Sequence, residues 1–143
     1  MLQYKNSYFH ISGVSFTIPE NYYLETCPGL EMENGMLLYS PDEIFSVELN
    51  AENKEAPSDY SLTHYLENCE LIRPSAPFLN NGLSGHIVLY KTKGHTHCEI
   101  TFDLGNCDPN MFQVVFDFPA DFDVVSFINS EEFQRIMRCV KAA

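Results

Sequence analysis

The chain has 143 residues, 45% of them hydrophobic and 20% charged, which excludes disorder and supplies a core that needs no metal or disulfide support. Its formal charge of −12 is concentrated: Glu20–Glu70 holds 12 acidic residues and one basic residue, Lys54, whereas the remainder holds eight and seven. A field of that sign repels phosphate backbones and anionic lipid, so nucleic acid and membrane surfaces are excluded as partners and a protein with a basic or amphipathic surface is favoured.

The stretch from Met1 to Gly13 lacks the apolar run of a signal peptide, and nothing approaches the ~20 apolar residues of a membrane span. Cys27, Cys69, Cys98, Cys107 and Cys139 show no CxxC spacing and are read as small apolar residues of a reduced protein. These features predict a cytoplasmic single domain over residues 1–143.

In chain order, Val14, Phe16 and Ile18 alternate with Ser15 and Thr17, which predicts a half-buried strand closed by Pro19. Gly35–Ser40 and Glu43–Asn50 flank Pro41-Asp42 as a hairpin, with Phe45, Val47 and Leu49 on one face. Ser58 or Asp59 caps a predicted helix that runs to about Glu70 and carries an apolar stripe of Leu62, Tyr65, Leu66 and Cys69. Arg73–Gly85, with Pro74, Pro77 and the Asn80-Asn81-Gly82 turn, reads mostly as a connection.

Three antiparallel strands are predicted next, at Gly85–Lys91, His95–Leu104 and Met111–Phe118. Cys98, Ile100, Phe102 and Leu104 share one face of the middle strand, and Phe112, Val114, Phe116 and Phe118 share one face of the last. A terminal helix is signed by a capping box of Asn129 and Glu132, by Arg135, Arg138 and Lys141 towards its end, and by a stripe of Phe133, Ile136, Met137 and Val140. Phe122–Ile128 is a preceding helical turn or the same helix interrupted. The fold class is α+β: an antiparallel sheet of five to six strands with helices packed on it.

The segment Val14-Ser-Phe-Thr-Ile-Pro-Glu-Asn-Tyr-Tyr, then a strand pair, a helix, three strands and a C-terminal helix, resembles the PsbP/Mog1/DcrB-like superfamily. Its members usually carry Gly-Trp after the proline, where this chain reads Asn21-Tyr22. The resemblance implies an α/β/α sandwich. It also implies a non-catalytic binding role, since members include a photosystem subunit, a nuclear-transport GTPase binder, lipoproteins and secretion-effector chaperones. It carries no family-wide catalytic residues.

Three constellations bear on chemistry. His95 and His97 point the same way from a strand and present two imidazoles, with Cys98 on the opposite face and His86 on the neighbouring strand as a conceivable third ligand. Two facing histidines at a strand end fit a solvent-exposed pair, and neither a metal site nor a cofactor is predicted. Asp117, Asp121 and Asp123 around Phe118-Pro119 are paired carboxylates of the kind hydrolysis uses, but a single acidic loop does not place two across a cleft, and Asp121 and Asp123 read as a solvated turn entering a helix. The acidic block, with Tyr22, Tyr23, Glu31, Glu33, Tyr39 and Glu48, reads either as a solvated surface that keeps the protein soluble or as a docking face in which tyrosines supply contact area and carboxylates steer association. The sequence thus predicts a small non-enzymatic binding, adaptor or chaperone-like module. The competing readings are a hydrolase-type or metal-dependent enzyme using His95, His97 or a loop cysteine, and a carrier of an apolar ligand lodged by the Phe-rich strand Met111–Phe118.

Overall fold

Strict alternation of apolar and polar residues gives each long strand one face for a core and one for something else, and the sheet is assembled from that periodicity. The structure, a computed structural model, describes residues 2–3, 8–11, 13–24, 35–54 and 69–143. Its elements in chain order are β1 (Leu2–Gln3), β2 (Tyr8–Ile11), β3 (Val14–Thr17), β4 (Tyr23–Leu24), β5 (Gly35–Tyr39), β6 (Ser46–Glu52) and β7 (Glu70–Asn80). There follow β8 (Leu83–Thr92), β9 (His95–Asp103), β10 (Met111–Pro119), α1 (Val124–Ile128), α2 (Glu131–Arg138) and β11 (Val140–Ala142).

Among the described residues the main sheet has eight strands in the order β1-β4-β5-β6-β10-β9-β8-β7, and a smaller sheet has three in the order β11-β3-β2. All pairings are antiparallel. The fold is α+β, and the sheet is larger than the predicted five to six strands. Short β1 and β4 add to one side, and β7 adds to the other.

The helices α1 and α2 and the small sheet pack against one face of the main sheet. Phe112, Val114, Phe116, Ile100, Phe102, Ile136 and Val140 all lie in that core, as their alternation predicts. Rings of Phe45, Phe116, Phe127 and Phe133 meet at its centre, with Phe116 centroids 5.4 Å from Phe127 and 5.7 Å from Phe133. Phe112, Phe116 and Phe118, the residues behind the apolar-carrier reading, are buried in this core. Gly85 is required where β8 runs beside β9, because a Cβ there would collide with the Thr101 carbonyl oxygen.

Two sequence expectations are corrected. Arg73–Gly85 is not a connection: it falls in β7, the Asn81-Gly82 turn and the start of β8. Pro74 and Pro77 are tolerated because β7 is the edge, and its register shifts between Leu71 and Ala76 absorb the irregularity. The helix over Ser58–Glu70 lies outside the described residues except at its end, where Glu70 opens β7 and Cys69 packs on Val88 and Tyr90. The terminal helix, α2, is capped by Ser130 rather than Asn129, the Ser130 hydroxyl accepting from the Phe133 amide at 3.2 Å, and α1, closed by Asn129, is the expected preceding turn. Helix α2 also stops at Arg138, so Val140 and Lys141 belong to β11 beside β3.

Asn80 and Asn81 fix that exit: the Asn80 amide donates to the carbonyls of Met137, in the last turn of α2 (3.0 Å), and of Val140, in β11 (2.8 Å), and the Asn81 amide donates to the same two.

Candidate functional site

The second face of the main sheet carries the polar half of the alternation, and the strand register arranges it in rows. One row runs Tyr23, Tyr39, Ser46, Asp117, His97 and Tyr90 across β4, β5, β6, β10, β9 and β8. The next runs Leu37, Glu48, Val115, Glu99 and Val88, and the third includes Asn50, Gln113, Thr101 and His86. Together the first row from Tyr39 to Tyr90, the second from Leu37 to Glu99 and the Asn50–Gln113 pair line a groove of about 500 Å3. Its lining includes Glu48, Glu99 and Asp117, and no Lys or Arg is among the lining residues described.

The floor is a buried polar network. Gln113, from β10, donates through Nε2 to Glu99 Oε2 at 3.2 Å and to Thr101 Oγ1 at 3.1 Å. The Tyr90 hydroxyl stands 3.5 Å from the other Glu99 oxygen, at the limit of bonding. Burial pushes the Glu99 carboxyl up to about 8, the Glu48 charge adds to the rise, and the Gln113 bond opposes it. Glu48 is itself raised, by burial first and then by the charges of Glu52 and Asp117. Raised carboxyls result when like charges share a partly dry site without a cation.

The rim is a histidine–aspartate cluster. His95 Nδ1 lies 2.8 Å from Asp117 Oδ1, and His97 Nδ1 lies 3.9 Å from the same oxygen. The His97 ring stacks on Tyr90 with centroids 4.8 Å apart, and its Nε2 is 2.8 Å from Thr92 Oγ1. Burial lowers the His97 imidazole, with Asp117 opposing and His95 reinforcing, so the ring is neutral near neutral pH.

Thr92 and His97 have the spacing of a hydroxyl–base pair, but the short carboxylate bond goes to His95, so the three groups do not form one relay. His86 pairs with Thr101, two same-face steps along β8 from Tyr90, which pairs with His97. Among the described residues no group of three His, Cys, Asp or Glu is arranged to hold a metal. Burial raises the thiols of Cys69, Cys98 and Cys139, leaving them protonated rather than nucleophilic.

The predicted docking residues divide three ways. Tyr23, Tyr39 and Glu48 fall on this face, with Tyr39 and Glu48 in the groove. Glu31 and Glu33 lie outside the described residues.

Tyr22 is corrected: it is fully buried, packs edge-on to Phe45, and donates to Glu132 Oε1 at 3.0 Å. The reason is Asn21, whose φ of 71° turns the chain after Pro19 and directs the next ring inward. Asparagine tolerates that left-handed backbone, as glycine would, and Tyr22 fills the inward place. Burial and the Glu132 charge raise its phenol far above the usual range.

The sequence does not single out Glu99, Gln113 or Tyr90, and it marks Asp117 only as one of the paired carboxylates around Phe118-Pro119. The signal for them is the second phase of the same alternation: His95, His97, Glu99 and Thr101 on one strand, Gln113 and Asp117 on the next.

No protein family and no curated protein matches the sequence. Solved structures do. A protein of Bacteroides thetaiotaomicron VPI-5482 is 13% identical with a TM-score of 0.54, the match covering 98% of this chain and 49% of that one, so the chain spans about half its length. The cyanobacterial PsbP (CyanoP) of Synechocystis sp. PCC 6803 is 12% identical with a TM-score of 0.53, over 92% of this chain and 87% of that one. At such identities the likeness is one of architecture: the chain has a PsbP-like α+β fold.

Proposed function

We propose that this protein is a small non-enzymatic binding module, and that the groove on the second sheet face receives a basic or amphipathic segment of a partner protein. The observation that carries the reading is the meeting of three carboxyl groups, Glu48, Glu99 and Asp117, in one groove with no Lys or Arg in its described lining. Tyr39, Tyr90 and the His97 ring supply flat contact area beside those carboxyl groups, a combination suited to Lys or Arg side chains with apolar stems. The PsbP-like fold is compatible with such a role. The net charge of −12 adds long-range attraction for a cationic partner. Free thiols at Cys69, Cys98, Cys107 and Cys139 favour a reducing, cytoplasmic setting.

The test compares association rates of the wild type and a Glu48→Lys variant with each co-purifying protein, at low and at physiological salt. Reversal should slow association about tenfold at low salt with a smaller effect on dissociation, and added salt should shrink the difference. Unchanged rates for every such protein would reduce the acidic face to a solvated surface.

A further inference from the structure

Glu99 poses a charge problem at the floor of the groove. It is 5% exposed, its cross-strand neighbours are Val88 and Val115, and no described Lys or Arg lines the site. The titratable groups sharing its sheet face are His95, His97 and Asp103 on β9, His86 and Tyr90 on β8, Asp117 on β10, Glu48 and Glu52 on β6, Tyr39 on β5 and Tyr23 on β4. The nearby cation Lys54 is ion-paired with Glu52 at 3.3 Å. None of these compensates a negative charge there: His97 is held neutral, His95 is engaged with Asp117, and His86 lies a row further along the sheet. A carboxylate so placed has lost water without gaining a counter-charge, and it keeps its proton instead.

Resting on the docking reading above, we propose that the groove is a proton-exchanging anchor: one ammonium or guanidinium group of the partner segment seats between Glu99 and Glu48, and Glu99 releases its proton as the cation arrives. The O–H bond of the carboxyl breaks, its proton passes to solvent, and the incoming ammonium keeps its own protons. The site therefore gains one positive group and loses one positive charge. Gln113 stays bonded to Glu99 in both states, since its Nε2–H is donated to an oxygen that accepts whether or not the carboxyl is ionised. The stacked Tyr90–His97 pair forms the wall along which the aliphatic stem packs.

A group that titrates near 8 is roughly nine-tenths protonated at pH 7, so binding there should release close to one proton. Affinity should then rise with pH, about tenfold per unit below 8, and level off above it. Such coupling sets the site apart from an ordinary exposed carboxylate, which is already ionised at pH 6 and would show no dependence.

The experiment is calorimetric titration of the full chain with tetralysine, in phosphate and in Tris at equal ionic strength, with fully Nε-acetylated tetralysine as the uncharged control. Expected results are a buffer-dependent enthalpy equivalent to about one proton released at pH 7, and affinity about tenfold higher at pH 7 than at pH 6. Glu99→Gln, which keeps the shape and the acceptor, should abolish both the release and the pH dependence, while Glu48→Gln should weaken binding and keep the release. Binding without proton release, or release that persists in Glu99→Gln, overturns the anchor and leaves the docking reading standing. Failure of tetralysine to bind at both pH 6 and pH 9 overturns the two together.

Discussion

Glu99 is the residue at which the sequence pattern and the physical cost of burial conflict most sharply. Its ordinary value of 4.5 rises to about 8 in the fold, so between those limits the folded protein holds a proton that the unfolded chain has lost. Stability from this group is therefore full below about 4.5, declines as pH rises towards 8, and is flat beyond. Glu99→Gln removes the titration. The variant should be more stable than wild type at pH 8.5 by on the order of 3 kcal/mol, with a much smaller difference near pH 4.5, in denaturant melts. His97 acts in the opposite direction. Its lowered value makes the unfolded chain the better proton acceptor below about 6.5, so its contribution is lost as pH falls. The variant's stability curve should keep that acid-side decline.

At the scale of elements, β10 is the strand on which both faces depend. Phe116 is completely buried and contacts the rings of Phe45, Phe127 and Phe133, so Phe116→Ala should cost ~3–5 kcal/mol; a loss below about 1 kcal/mol would mean that the strand's faces are reversed. That face was legible in the sequence, because period-two alternation in β9 and β10 assigns the core directly. The opposite face was legible only in part. Which polar residues meet across strands depends on register, and register is set by hairpin turns and by pairings such as β6 with β10 that are distant in sequence. Hence Glu48 and Tyr39 were found while Glu99, Gln113 and Tyr90 were not. The β7 strand was hidden because its prolines are breaker signals everywhere except on an edge. Val140 fits a helical stripe and a strand equally well, and the Asn80 bond to its carbonyl accompanies the turn into β11.

At the scale of the whole molecule, the two faces of one sheet have opposite economies. One buries aromatic rings against α1, α2 and the small sheet, and the other concentrates carboxyl groups around a groove. The PsbP-like architecture therefore accounts for the apolar half of the molecule, while the groove is written by this chain's own choice of polar residues.

The prolines of β7 carry a consequence for colloidal behaviour. An unpaired sheet edge is a template on which another copy's strand could lay down hydrogen bonds and start a growing ribbon. Neither Pro74 nor Pro77 can donate an amide, and the register shifts break the even spacing an incoming strand would need. The edge also exposes Leu71 and Leu79, at 46% and 79%, which would otherwise make it adhesive. Replacing both prolines by valine should leave the monomer folded yet convert it, at high concentration and in salt that screens the net charge, into a slowly self-associating species. Light scattering over days would register that growth, and a stable monomer signal would assign the protection to charge alone.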